Sequence, residues 1–76
     1  MLRTNDIQSI CLNLGAQLLP GKDITTSVSV NSGGTIMLIL NAGSDSRNIE
    51  MPSSARFLSI TEFSDKYIIP AMESMQ

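Results

Sequence analysis

A small α+β domain is the fold class this sequence predicts: an N-terminal helix, an antiparallel β-hairpin with a possible short third strand, and a C-terminal helix. Three observations predict it. Thr35-Ile36-Met37-Leu38-Ile39-Leu40 is the one long unbroken apolar run, bounded by Gly33-Gly34 before and Asn41-Ala42-Gly43-Ser44 after, which suits a central strand better than a helix. The stretch before it alternates with period two, and glycines join the two. At both ends of the chain apolar residues recur instead at steps of three and four. With 76 residues the chain is a single domain, 1–76, small enough that only about 60% of the unfolded chain's surface is removed from water.

The first helix is expected to open at Thr4-Asn5-Asp6, all favourable cap types, with Asn5 three residues before Gln8 at capping-box spacing. Ile7, Ile10, Cys11, Leu14 and Leu18 then share one stripe, with Leu12 and Leu19 off it. Gly15 lowers helix propensity by roughly 1 kcal/mol relative to alanine. Two explanations fit it, a close approach to the sheet or a loosely formed helix end. Leu19-Pro20-Gly21 ends the element.

From Asp23 to Asn31, Ile24, Thr26, Val28 and Val30 lie on one face of a half-exposed strand, and Thr25, Ser27 and Ser29 on the other. Asn31-Ser32-Gly33-Gly34 marks a hairpin turn, since glycine reaches positive φ at almost no cost. A two-residue loop would pair Val30 with Met37 and a three-residue loop Val30 with Ile36; both registers are open. In the central run Ile36, Leu38 and Leu40 oppose Met37 and Ile39, so both faces are expected to be covered, by two layers or by two subunits. Residues 41–46 read as a solvated loop, lacking the ordered ladder of oxygen ligands of a calcium loop. Arg47-Asn48-Ile49-Glu50-Met51 alternates and predicts a short third strand that Pro52 stops.

Residues 56–60 fit a helical turn somewhat better than a strand. Ser59-Ile60-Thr61-Glu62 has the capping-box pattern, after which Phe63, Tyr67, Ala71, Met72 and Met75 mark an apolar stripe. Pro70 interrupts it, because its ring clashes with the carbonyl of Lys66, and a kink or restart is expected near Ile69-Pro70.

Composition narrows the function. There is no histidine, hence no commonest zinc ligand and no commonest general base. Cys11 stands alone among apolar neighbours and reads as a small buried hydrophobe rather than a disulfide or reactive thiol. Arg3, Lys22, Arg47, Arg56 and Lys66 are dispersed on a chain of net charge −2, which gives no stripe for phosphates to follow and argues against direct nucleic-acid binding. Gly33-Gly34-Thr35 precedes a strand rather than a helix, so it is no phosphate loop. No segment has the length of a membrane span or the pattern of a signal peptide, so a cytoplasmic protein is expected.

These observations predict no enzyme, no cofactor and no metal centre. They predict instead a protein-protein interaction module that acts as inhibitor, adaptor or assembly subunit of a larger protein, and that forms a homodimer through a sheet edge or its C-terminal segment. The candidate partner-binding residues are Tyr67, Met72, Met75, Glu62 and Asp65, with core filling the competing role for the methionines. Two alternatives belong to other classes. One is an acidic nucleic-acid mimic, for which Asp45, Glu50, Glu62 and Asp65 would have to share a face; the other is a dimeric regulator with a small ligand between subunits.

Overall fold

The N-terminal stripe forms helix α1, Thr4–Leu18, in a computed structural model that describes residues 1–76. Its cap differs from the expected Asn5/Gln8 pair. Arg3 is the extended cap residue, and the Asp6 carboxylate reaches back to accept from the Arg3 backbone N–H at 2.7 Å. The Arg3 side chain has no acceptor to offer in return, so this is half of a capping box. Ile7, Ile10 and Cys11 are buried, Leu14 and Leu18 half-buried, and Leu12 exposed. Leu19, off the predicted stripe, is buried nonetheless, because the helix ends before it and its non-helical backbone takes the side chain off the helical spacing.

Three strands follow in the spatial order β1-β2-β3, all antiparallel: β1 Ile24–Val30, β2 Ile36–Ala42 and β3 Asp45–Met51. The first turn is the three-residue alternative. Val30 pairs with Ile36, the Asn31 N–H bonds the Thr35 carbonyl, and Gly34 takes a φ of 85°. Asn31 Oδ1 accepts from the N–H groups of Gly33 and Thr35 at 2.9 and 3.0 Å, holding the loop from inside. The second turn corrects the expected 41–46 loop. Only Gly43-Ser44 lies outside the strands, with Gly43 at a φ of 61°, so β3 has seven residues rather than five and matches β2 along its length. Positive φ at the first of two loop residues and not at the second, Ser44, belongs to the type II′ hairpin, whose twist suits the flanking strands.

β2 is central, but it is covered on one face alone. Ile36, Leu38, Leu40 and Ala42 are fully buried, whereas on the opposite face Met37 and Asn41 are half-buried and Ile39 is 39% exposed. The expectation of two covered faces is therefore corrected: both helices of the chain pack on the same side. The outer face carries Thr25, Ser27 and Ser29 from β1 and Ser46, Asn48 and Glu50 from β3, which keep it wet around two apolar side chains.

After Met51 a 3₁₀ turn, Ser53–Phe57, precedes a break at Leu58-Ser59. Helix α2 then spans 60–73 in three pieces: α-helical Ile60–Phe63, a π-turn Ser64–Ile68 and α-helical Ile69–Glu73. Its start is capped as predicted, Ser59 Oγ accepting from the Glu62 N–H at 3.1 Å and donating to Glu62 Oε1 at 3.0 Å. Its interruption also falls where expected, ahead of Pro70. The Ile69 N–H bonds the Ser64 carbonyl five residues back, and this wider turn accommodates the proline ring. The extra residue advances the buried stripe, so Phe63, Ile68, Met72 and Met75 line the core and Tyr67 is pushed to its margin.

The core is thus a single layer between the inner sheet face and two helices, with Phe63, Ile7, Ile36, Leu38, Leu40, Met51, Ile68 and Met72 among its fully buried side chains. The surface of 4449 Å² is close to the roughly 4,500 Å² expected of a free-standing globular protein of this mass. Beneath β2 the inner face is closed within one copy, while the inner-face residues of β1 at its edge are half-buried or exposed.

Candidate protein-interaction surfaces

The five candidate residues fall into two groups. Met72 and Met75 are buried in the core, which is the competing role the sequence allowed them, and they present no surface to a partner. Glu62 and Asp65 are exposed on α2, and Tyr67 is half-buried. The Tyr67 ring lies 5.7 Å from that of Phe63 at an interplanar angle of 51°, and Lys66 Nζ stands 5.6 Å from its centroid. The ring is therefore held between the core and a cation, within the range of tilted aromatic packing and cation–π attraction.

Three apolar residues absent from that set are more exposed than its tyrosine and methionines. Phe57 is 73% exposed, Ile60 61% and Met1 72%. Phe57 and Ile60 flank the break between the 3₁₀ turn and α2, and the Leu2 N–H donates to the Arg56 carbonyl at 2.7 Å, which brings the backbone next to Met1 to the backbone next to Phe57. Why these side chains face outward is local. Ala55 and Leu58 take the inward positions of the turn and the break, Ala55 fully buried and Leu58 packed against the core, so Phe57 and Ile60 are left on the other side. The only sequence signal was the ambiguity of 56–60 itself, since a strand there would have turned Phe57 away from Leu58.

The remaining chemistry is sparse. Cys11 is fully buried, and burial pushes its thiol up to about 11, so no thiolate is available at neutral pH. A shallow depression of about 320 Å³ is lined by Thr35, Glu50, Met51 and Pro52, with no paired acid and base. No three acidic or cysteine side chains gather as a metal site requires, and Glu62 and Asp65 stand three residues apart on α2. Asp6 and Glu62 hold helix starts, Asp45 faces Lys22 Nζ at 3.6 Å, and Glu50 lies on the outer sheet face.

No helix is long and apolar enough to cross a membrane. Comparison with protein-family models, with curated proteins and with solved structures returned no match. The fold places the chain in a broad class, α+β domains with two helices on one face of a three-stranded antiparallel sheet.

Proposed function

We propose that this domain is a protein-interaction module whose contact with a larger partner is centred on Phe57, Ile60 and Met1, with Glu62, Asp65 and Tyr67 as its polar margin. The exposure of Phe57 carries the reading. An aromatic ring left in water, with exposed Ile60 three residues on and exposed Met1 next to the residue that bonds the Arg56 carbonyl, is the kind of exposed apolar group that marks a docking site, and aromatic anchors ringed by polar groups dominate such contacts. Inhibitor, adaptor and assembly subunit all remain roles for such a module. The reading does not call on catalysis, for which the chain offers a buried cysteine and no gathered group of three acids. The nucleic-acid mimic gains little from carboxylates of which Asp45 faces Lys22 and Asp6 and Glu62 hold helix starts.

The test is a pull-down from the native host with the wild type and with Phe57→Ser/Ile60→Ser. Both side chains are exposed, so the double variant should melt within a few degrees of the wild type. It should lose the captured partner at least tenfold, on the order of the 2 kcal/mol or more that a central anchor supplies. Equal retention by both proteins would remove this patch as the contact.

A further inference from the structure

The sheet has two free edges, and they differ chemically. β3 carries Asp45, Arg47 and Glu50, charges of the kind that discourage another strand from pairing, and its Arg47 is engaged with Ser74. β1, Ile24-Thr25-Thr26-Ser27-Val28-Ser29-Val30, has no charge, proline or glycine and is β-branched at five of its seven positions. It carries neither the charges nor the proline by which an edge strand discourages pairing.

Which backbone groups β1 offers follows from its pairing with β2. Just beyond one end the Asn31 N–H bonds the Thr35 carbonyl at 3.0 Å, and just beyond the other the Gly43 N–H bonds the Asp23 carbonyl at 3.0 Å. Bonds between antiparallel strands involve every second residue, so the odd-numbered residues face β2. Ile24, Thr26, Val28 and Val30 therefore turn their N–H and C=O groups outward. The side chains of the same four residues lie on the inner face but are incompletely covered, Val30 being 48% exposed and the other three half-buried.

We propose that a second copy of this chain pairs with the β1 edge across a two-fold axis, joining the two sheets into one of six strands. The register centred on Ser27 sets Ile24 opposite the partner's Val30, Thr26 opposite the partner's Val28, and Ser27 opposite the partner's Ser27. All seven residues then pair, and every outward backbone group of β1 meets a complement. On the inner side the pairs extend the apolar layer; on the outer side only hydroxyls meet, with no like charges opposed.

The size suits a weak, reversible contact. A seven-residue strand is about 24 Å long, and the molecule is 19 Å across its shortest extent. The projected wall is thus on the order of 450 Å² per copy, near the ~1,000 Å² total of a specific contact. Helix α1 packs over β1 and contributes to that wall. Its exposed Leu12 is an i, i+3 neighbour of Gly15, the residue that touches Ile24, and so lies on the flank nearer β1. The proposal uses other residues than the Phe57 patch and stands without it.

Sedimentation equilibrium tests it with Thr26→Pro and Ser27→Glu. Thr26→Pro removes an outward N–H and no bond to β2, which an edge strand tolerates. Ser27→Glu sets two carboxylates opposite each other where Cα atoms approach to about 4.5 Å. The wild type is expected at twice 8.2 kDa in the micromolar range and each variant at 8.2 kDa, with a dissociation constant raised at least tenfold; mixing Ser27→Glu with Ser27→Lys should restore the dimer mass. A monomeric wild type, or a dimer that survives both substitutions, overturns the proposal. Should Thr26→Pro fail to fold, mild oxidation of Ser27→Cys decides. It should cross-link copies much faster than Thr25→Cys, whose place opposite the partner's Ser29 puts its thiols apart, and equal rates would again overturn it.

Discussion

At Gly15 helix α1 comes close against the Ile24 side chain of β1. A Cβ built there would stand 2.6 Å from Ile24 Cγ1 and 3.1 Å from its Cδ1, closer than side-chain carbons tolerate. This decides between the two explanations the sequence left open. The glycine weakens the helix and makes room for the strand. Gly15→Ala adds about 1 kcal/mol of helix propensity but forces Ile24 aside, and overpacking of this kind costs about 1–3 kcal/mol. The variant should therefore be less stable by about 1 kcal/mol in urea unfolding. In an Ile24→Ala background the obstacle is gone and the same substitution should stabilise, a change of sign that isolates the contact.

Among the elements, β2 shows how far an apolar run can be read. Its strand character and its central place follow from β-branched content and flanking glycines, but its far bound does not, since β2 runs on through Asn41 and Ala42. Which face is buried does not, because Met37 and Ile39 are as apolar as the residues opposite them. Leu38, fully buried, should cost about 2–5 kcal/mol when cut to alanine. Ile39→Ala should cost under about 1 kcal/mol, and Ile39→Asp should leave a soluble, cooperatively folded protein, since the side chain lies on the wet face. Chemical denaturation of the three variants checks the order. Helix α2 teaches a related lesson: Pro70 announced an interruption, but the π-turn that resolves it moved the buried stripe from Tyr67 to Ile68.

At the scale of the whole molecule the two ends of the fold are tied together by the last three residues. Arg47 Nε and Nη2 donate to Ser74 Oγ and to its carbonyl, each at 3.0 Å, Lys22 Nζ donates to the Met75 carbonyl at 3.1 Å, and Gln76 Nε2 to the Leu18 carbonyl at 3.0 Å. These polar contacts surround the buried Met75 side chain. Deleting residues 74–76 removes all of them and opens the core, a loss of about 3–5 kcal/mol from a total stability of roughly 4–11 kcal/mol. Arg47→Met removes only the bonds to Ser74 and the Ser46 carbonyl and should lose about 1–2 kcal/mol. Thermal melts of the two variants should separate clearly, the truncation melting far lower.

The sequence by itself determined what local chemistry controls. The α+β class, the stripe on α1, the turn at Gly33-Gly34, the Ser59–Glu62 cap and the break before Pro70 each follow from residues within a few positions of one another. The tertiary structure alone decided what depends on neighbours distant in the chain. Pairing with β2 over its full length drew Asp45 and Ser46 out of the expected loop and into β3. Both helices packed on one side of the sheet, which buried Leu38 and left Ile39 in water; the same packing enclosed Met72 and Met75 and left Phe57 and Ile60 outside. Hydropathy records that a side chain prefers burial, but 76 residues supply only two helices, and which apolar groups they cover is settled by where those helices come to rest.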